Sequence, residues 1–278
     1  MTMTHRSADY PLGNTDAEHE RLIRQAARVA PITERFFREA GIGLGQRVLD
    51  LGSGVGDVAM LVARLVGSSG EVVAIERDRK SIAKASARVA EAGFQNVSFN
   101  ESNVNEILDE KPFDAAVGRF ILMYLPDPVA ALRFISQLVR PGGVFVFQEP
   151  CWVPVLAHLA SLPLWFATAS LIDKTMRVSA NHDMGTELYH TFIAAGLPEP
   201  IVRMELPIGK EPYLAQWYYD MQFATADGAV ASAHRIVGKS RHPRAEASSR
   251  GCRIENCCVL VCICWSVVPQ SLAWLELR

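Results

Sequence analysis

The sequence predicts an α/β protein with a mostly parallel, Rossmann-like sheet flanked by helices. Between residues 46 and 150, apolar runs of strand length alternate with segments whose apolar residues recur at helical spacing. Strands that alternate with helices in this way pair in parallel, with the helices covering the sheet faces. A glycine-rich loop follows the first strand, where such sheets bind ligands. The predicted strands are Arg47–Leu51, Glu71–Glu76, Val97–Asn100, Phe113–Gly118 and Val144–Glu149.

Three helices are predicted between these strands from their apolar spacing. The third is expected to begin after the Asp127 cap, with Pro128 in its first position, and to end at the turn 140–143. The marker residues are Val58, Leu61, Val62 and Leu65 for the first helix, Ile82, Ala85 and Val89 for the second, and Leu132, Ile135 and Val139 for the third.

The rest of the chain up to residue 238 is predicted to form a helical cap on the core 46–150. The cap segments are 1–41, 151–196 and 211–236, and no linker separates them from the core, so one domain over 1–238 is expected. Stretches 151–171 and 217–223 are rich in apolar and aromatic residues. These either form a lid over an apolar ligand or pack the cap onto the sheet.

Residues 239–278 form an atypical, cysteine-rich tail with a polar beginning and an apolar end. Two interpretations stay open. Segments Pro200–Ile208 and Cys258–Val268 pair as antiparallel strands that complete a seven-stranded sheet, or a shifted reading frame leaves an aberrant sheet edge. The cysteines lack the spacing of a zinc site, so no metal is predicted.

Composition excludes several classes of protein. The formal charge of −2 argues against a protein that binds nucleic acid by neutralising phosphates. No window reaches the roughly 20 apolar residues of a membrane span, and the polar residues 1–10 lack a signal-peptide core. A cytoplasmic protein is therefore expected, and the sequence indicates no oligomeric state.

The strongest motif is the loop Val48–Asp57, which reads VLDLGSGVGD. Its glycines at 52, 54 and 56 let the backbone approach a ligand closely, and the helix that follows presents free N–H groups there. A dinucleotide fingerprint requires a third glycine at position 57, where this chain has Asp. A carboxylate is unfavourable beside a pyrophosphate but favourable beside ammonium and sulfonium groups. The motif therefore favours S-adenosylmethionine over NAD.

Glu76 ends the second predicted strand, about twenty residues after the loop. An acidic side chain at this strand end accepts hydrogen bonds from both hydroxyls of a ribose. Because both nucleotide classes contain ribose, Glu76 supports a nucleotide site without choosing the ligand.

Taken together, four features resemble the motifs of class I S-adenosylmethionine-dependent methyltransferases in order and spacing: the loop 50–56, Glu76, the strand 113–118 and the turn 140–143. The similarity covers residues 46–150 and is close to the methyltransferase-domain enzymes related to ubiquinone/menaquinone C-methyltransferases. The segments 10–13 and 18–22 also resemble the N-terminal region of that group.

The resemblance implies S-adenosyl-L-methionine as cofactor and assigns roles along the chain. Gly52 and Gly54 would lie against the methionine part with Asp50 beneath it, Glu76 would hold the ribose, and Arg77 would lie beside the adenine. The other residues implied to bind the cofactor are Ser53, Asn103, Val104 and Arg119.

Methyl transfer to a small, lipophilic or aromatic acceptor is the expected activity. Candidates for a catalytic base or pocket residue are Glu149, Tyr124 and His182, with His158 and His190 as further histidines. Two alternatives stay open: a non-catalytic or impaired relative that still binds the cofactor, and an NAD(P)-dependent oxidoreductase.

Overall fold

The computed structural model describes residues 13–177, 180–205, 208–209, 259–260 and 263–269. The strands are β1 (Arg47–Leu51), β2 (Glu71–Glu76), β3 (Val97–Glu101), β4 (Phe113–Arg119), β5 (Val139–Pro150), β6 (Ile201–Glu205), β7 (Ile208–Gly209), β8 (Val259–Leu260) and β9 (Ile263–Pro269). The helices are α1 (Asp16–Glu39), α2 (Asp57–Val66), α3 (Arg79–Glu91), α4 (Pro128–Ile135), α5 (Trp152–Leu159), α6 (Pro163–Met176), α7 (Met184–Ala194) and the short 3-10 helix η1 (Leu122–Tyr124).

Seven strands form one sheet in the order β3-β2-β1-β4-β5-β9-β6. Strands β1 to β5 are parallel, and β9 runs antiparallel between β5 and β6. The predicted Rossmann-like, mostly parallel sheet is therefore confirmed. The expected antiparallel pair also forms, because β6 pairs with β9 in register. The reading-frame alternative for the tail stays a prediction.

Helices cover both faces of this sheet. On one face, α1 and α2 pack on strand residues such as Val48, Val117 and Val146. On the other face, α4 to α7 pack on the alternate residues, among them Leu49 and Phe147. Successive strand side chains point to opposite faces, so strands buried on both sides read as nearly continuous apolar runs. This is the reason that β1, β2 and β4 were visible in the sequence.

The largest difference from the sequence prediction is at β5. The spacing assigned Val139 to a helix, but α4 ends at Ile135 and Val139 already pairs with Phe113 in the sheet. The register then shifts, so that Ala115 pairs with Val144. The segment 140–143 is thus an irregularity inside the strand, not the turn before it. Polar and glycine residues at a bulge mimic a turn signal in sequence.

Helix α1 crosses the carboxyl ends of the parallel strands on the α2 face. Near its beginning, His19 Nε2 lies 3.2 Å from Ser81 Oγ of α3. Near its end, Arg35 forms an ion pair with Glu205 of β6. Because α3 and β6 lie toward opposite edges of the sheet, α1 forms a roof over the strand ends between them.

The cap segment 151–196 is helical as predicted and contains α5, α6 and α7. Segment 211–236 and the stretch 217–223 lie outside the described residues, so the division into domains stays a prediction. Within the ranges that are described, no helix is long and apolar enough to cross a membrane.

The irregularity in β5 gives a test of the fold. A Cβ atom at Gly143 would lie 2.7 Å from the carbonyl oxygen of Asp114, whereas one at Gly43 would have no atom within 4 Å. Because backbone cannot move aside cheaply, Gly143→Ala is expected to lower the free energy of unfolding by about 2–4 kcal/mol. Gly43→Ala is the matched control and should change it by less than about 1 kcal/mol. Urea unfolding measures both, and equal effects of the two substitutions would show that β5 does not follow this path.

Candidate functional site

The glycine-rich loop connects β1 to α2 in a conformation that requires its glycines. Gly52, Gly54 and Gly56 have φ values of +65°, +53° and +87°, in the left-handed region that other residues rarely adopt. Gly56 is the N-cap residue of α2 and has no side chain to bond the helix N–H groups. The N–H groups in the first turn of α2 therefore border a surface that is formed by backbone without side chains.

The three glycines have different surroundings. A Cβ atom at Gly52 would lie 2.8 Å from Cγ1 of Ile121, so this glycine makes room for a protein side chain. A Cβ atom at Gly54 would meet nothing within 4 Å. Gly54 is therefore the position at which the loop faces open space and a ligand can approach the backbone.

Glu76 closes the loop from the neighbouring strand. One carboxylate oxygen accepts a hydrogen bond from the Gly54 N–H at 2.9 Å, and the other accepts from Arg77 and Asp78 N–H at 2.8 and 3.0 Å. The carboxylate is thus fixed at the end of β2, beside the glycine loop. Arg77 is exposed next to it.

Asp50 lies beneath the loop and is 1% exposed. Neither of its carboxylate oxygens has a partner at hydrogen-bonding geometry among the described residues, and the same holds for the buried hydroxyl of Ser53. Burial raises the pKa of Asp50 to about 7, although the nearby charge of Arg119 opposes this shift. The backbone N–H of Ala59 approaches Asp50 and also lowers its pKa, but less than the charge of Arg119 does. A buried carboxylate without a donor is costly, so Asp50 is the group here that most needs a polar ligand.

Arg119 ends β4 on the same face of the sheet as Asp50. It lies two residues beyond Val117, the register partner of Asp50. Its guanidinium donates to the Thr33 hydroxyl at 3.4 Å, and that hydroxyl lies 2.8 Å from Oε1 of Gln148. Thr33 and Gln148 were missed by the sequence reasoning. A polar residue in the apolar run VFVFQE was the available signal for Gln148, but no sequence signal pointed to Thr33.

Asn103 and Val104 follow β3 and are less enclosed. The exposed Asn103 side chain donates to Glu106 at 2.8 Å, and Val104 packs partly against the core. The sequence-predicted cofactor residues thus divide into two sets. Asn103 and Val104 lie one strand farther out. The larger set lies at the ends of the adjacent strands β1, β2 and β4 and consists of Asp50, Gly52, Ser53, Gly54, Glu76, Arg77 and Arg119.

Glu149 is fully buried at the end of β5, and its carboxylate is already engaged. It accepts N–H hydrogen bonds from Ile121, Leu122 and Met123 at 3.1, 2.9 and 3.3 Å. Burial raises its pKa to about 8, against the opposing effect of these three bonds. The carboxylate caps η1 and thereby holds the segment that follows β4.

That segment turns sharply at Phe120, whose φ of +57° is the one positive value of a residue other than glycine among the described residues. Glu149 fixes the N–H groups that follow, and Asn181 N–H donates to the Met123 carbonyl at 2.8 Å. Ile121 then packs against Gly52 and Gly118. This segment therefore contacts the cap, the end of β5 and the glycine loop.

The other base candidates lie apart from the loop or in enclosed surroundings. His182 is 1% exposed and stacks on Trp152 with ring centroids 5.3 Å apart. Burial lowers its pKa to about 4. Tyr124 is half-buried in η1, while His158 and His190 are exposed on cap helices. No cluster of three metal-ligating side chains occurs in the ranges that the structure describes.

The environment of Asp50 makes stability depend on pH. Because its pKa is raised in the folded protein, folding favours the protonated form, and this group's contribution to stability falls as pH rises from about 4 to about 7. Asp50→Asn should therefore raise the free energy of unfolding of the ligand-free protein at pH 8 by about 1–3 kcal/mol, with little effect near pH 4. Urea unfolding at several pH values measures this difference.

Asp109→Asn is the control with the opposite sign. Partial burial raises the pKa of Asp109, but the hydrogen bonds from Arg47 and from the Lys111 N–H, together with the charges of these two residues, outweigh burial and lower the net pKa. This substitution should destabilise the protein at neutral pH. A loss of stability in Asp50→Asn at pH 8 would contradict the buried, unpartnered state of Asp50.

Comparison with known proteins agrees with this geometry. An arsenite methyltransferase from Aquipseudomonas alcaligenes is 35% identical over 113 residues, which are 38% of this chain and 33% of the relative. A ubiquinone/menaquinone biosynthesis C-methyltransferase from Coxiella burnetii is 32% identical over 118 residues, 41% of this chain and 47% of the relative. The matched part of the chain thus spans half or less of the length of these curated relatives.

Solved structures show the same fold. A structure described as a putative methyltransferase from Bacillus halodurans superposes with a TM-score of 0.56 at 13% identity, covering 85% of this chain and 97% of that one. The family model described as a methyltransferase domain matches residues 43–196, which is more than half of the 278 residues. The chain therefore belongs to the methyltransferase domain family.

Proposed function

We propose that this protein is an S-adenosyl-L-methionine-dependent methyltransferase that acts on a small molecule. The observation that carries the proposal is the buried Asp50 carboxylate, which has no donor of its own beneath the glycine loop. S-adenosylmethionine is the cofactor that membership of the family implies. Its methionine part carries an ammonium group and a sulfonium centre, which are the charges that such a carboxylate attracts.

The described residues fit this cofactor by their chemistry. Asp50 supplies an acceptor without a partner, Gly54 supplies open space over bare backbone, and Glu76 supplies a carboxylate fixed at a strand end. Ser53 adds a hydroxyl that lacks a partner among the described residues. We assign these four residues and Gly52 to the cofactor site, with Arg77, Asn103 and Val104 on its adenine side.

NAD or NADP fits the same loop less well. Asp57 occupies the position of the third glycine of a dinucleotide fingerprint, and it forms an ion pair with Arg88 at 2.7 Å. The same arginine donates to the Val55 carbonyl, so this carboxylate is fixed at the beginning of α2. A fixed negative group there opposes a pyrophosphate at the helix N-terminus. The oxidoreductase alternative is therefore the weaker one.

When bound, the cofactor supplies an electrophilic methyl group that an acceptor displaces in line. The chain's contribution is mainly orientation and exclusion of water, and orientation alone is worth roughly 7–11 kcal/mol. Helix α1 roofs the strand ends, and the segment held by Glu149 forms a wall beside the loop. We assign Glu149 a positioning role because three N–H groups already occupy its carboxylate. We assign no catalytic base, since His182 is enclosed by Trp152 and Tyr124 lies half-buried in η1.

A lipophilic or aromatic acceptor is the class we propose. The cap helices α5 and α6 expose apolar side chains, with Val153 56% and Leu171 52% exposed. The names of the two relatives refer to arsenite and to ubiquinone/menaquinone biosynthesis, and so to small-molecule acceptors. The exposed apolar side chains of the cap favour a quinol or phenol as the first acceptor to test. A cytoplasmic location stays a prediction from the sequence.

Calorimetric titration with S-adenosylhomocysteine, NAD and NADP tests the cofactor assignment. We expect micromolar binding of S-adenosylhomocysteine alone. Gly54→Ala should weaken it at least tenfold, because the added Cβ enters the open space over the loop. Gly93→Ala is the matched control, since Gly93 also has a positive φ of +78° and nothing within 4 Å of its Cβ position. Both variants should have the same backbone cost of about 1 kcal/mol.

Two results would count against the proposal. Binding of NAD in place of S-adenosylhomocysteine would favour an oxidoreductase, and equal losses in both glycine variants would remove the loop from the site. Incubation with S-adenosylmethionine and a panel of quinols, phenols and arsenite, with mass-spectrometric detection of methylated product, then tests catalysis. Cofactor binding without turnover on any acceptor would favour a non-catalytic relative.

A further inference from the structure

Three polar side chains meet between the roof helix α1 and the sheet. Arg119 of β4 and Gln148 of β5 are register partners in neighbouring strands, so their side chains leave the same face. Thr33 of α1 contacts both, at 3.4 Å from Arg119 Nη1 and 2.8 Å from Gln148 Oε1. Gln148 is fully buried and Thr33 is fully buried with it. These three residues are called the Arg119 relay below.

The hydrogen bonds of the Arg119 relay have a direction. The guanidinium N–H donates to the Thr33 hydroxyl, and that hydroxyl donates to the Gln148 amide oxygen. The Val29 carbonyl, 3.0 Å from the hydroxyl, is an alternative acceptor within α1. A hydroxyl that donates to Gln148 turns its lone pairs away from Gln148 and so remains available to accept from Arg119. Gln148 therefore fixes the hydroxyl, and the hydroxyl fixes the guanidinium.

Arg119 differs from Arg47, Arg88 and Arg140 in having no carboxylate partner among the described residues. Arg47, Arg88 and Arg140 each form an ion pair at 2.6–2.8 Å. Within the described ranges, no carboxylate lies within ion-pair distance of Arg119, which is half-buried at the strand end. A guanidinium carries five N–H donors. Among the residues that the structure describes, Arg119 makes one long bond, to a hydroxyl, which leaves most of these donors available for an anion.

The nearest acidic groups do not supply that anion. Asp57 is bound to Arg88. Asp50 has no hydrogen bond from any described residue, including Arg119, although the charge of Arg119 lowers the pKa of Asp50. One cation and one anion thus lie on the same face, each without a close partner. An α-amino acid group, with an ammonium and a carboxylate on one carbon atom, has the complementary pair of charges.

We propose that Thr33 and Gln148 are positioning residues that hold the Arg119 guanidinium for the carboxylate of the cofactor's methionine part, while Asp50 faces its ammonium group. This inference rests on the proposed function and deepens it. An oxyanion on the acceptor is the other source of the same chemistry. Because Thr33 belongs to α1, the roof helix and the recognition of the cofactor carboxylate are then coupled through one hydroxyl.

The test compares two adenosine thioethers that differ in the amino acid group. S-adenosylhomocysteine carries the ammonium and the carboxylate, and 5′-methylthioadenosine lacks both. In calorimetric titrations, Thr33→Val should weaken S-adenosylhomocysteine binding about fivefold and leave methylthioadenosine binding unchanged. Thr33→Ser keeps the hydroxyl and should retain the wild-type affinity for both ligands.

Two further variants keep the test independent of folding defects. Gln148→Met removes the other end of the Arg119 relay without leaving a polar group, and it should reproduce the selective loss. Thr191→Val is the matched control, since Thr191 is a buried helical threonine whose hydroxyl, among the described residues, bonds just the carbonyl four residues earlier, at 2.9 Å from Glu187 O. It should change neither affinity.

Several outcomes would overturn the inference. Equal losses on both ligands in Thr33→Val and Gln148→Met would show a general packing role for α1. Unchanged affinity for S-adenosylhomocysteine in both variants would mean that Thr33 and Gln148 do not hold Arg119 for the cofactor carboxylate, and would favour an acceptor oxyanion as the group for which they hold it. If the folded wild-type protein binds neither thioether, the proposed function itself fails. If the wild type binds S-adenosylhomocysteine but the variants show no selective loss of that binding, the inference fails while the proposed function stands.

Discussion

The carboxylate of Asp50 is buried beneath a loop of bare backbone and has no hydrogen-bond donor among the described residues. Desolvation makes its ionised form unfavourable in the ligand-free protein, and this is the reason that its pKa is raised. Such an arrangement costs stability unless a cationic group is brought to it. Much of the surrounding structure can be understood as the means of keeping this site open and correctly shaped.

Several elements hold the loop from different sides. Glu76 binds the Gly54 N–H from β2, Ile121 packs on Gly52 from the segment after β4, and Arg88 binds the Val55 carbonyl from α3. Glu149 fixes the Ile121 segment through its backbone. The loop is therefore supported by contacts from separate parts of the chain. A rigid site of this kind suits a reaction in which orientation of two reactants is the main requirement.

Part of this could be predicted from the sequence because it depends on local pattern. The buried strands produce apolar runs, Asp127 caps α4 as expected with a bond to the Ala130 N–H at 2.8 Å, and the glycine spacing marks the loop. The ends of parallel strands meet at one edge, and this is the reason that Glu76 and Arg119 were expected beside the glycine loop. In contrast, contacts between distant residues left little local trace. Thr33 lies 115 positions from Gln148 in the sequence. Its contacts with Gln148 and Arg119 both depend on the path of α1 over the sheet. The role of Glu149 was also hidden, since a strand-end carboxylate suggests a base until its three N–H partners are known.

We expect Asp50 to be partly protonated in the ligand-free protein and to ionise when a cationic group of the ligand binds beside it. Calorimetric titration of S-adenosylhomocysteine at pH 7, repeated in buffers of different ionisation enthalpy, measures the protons exchanged on binding. We expect a release of about half a proton per site, since a group with a pKa of about 7 is half protonated at that pH. This release should be absent in Asp50→Asn. Binding without proton release by the wild type, or an equal release by the variant, would contradict the account.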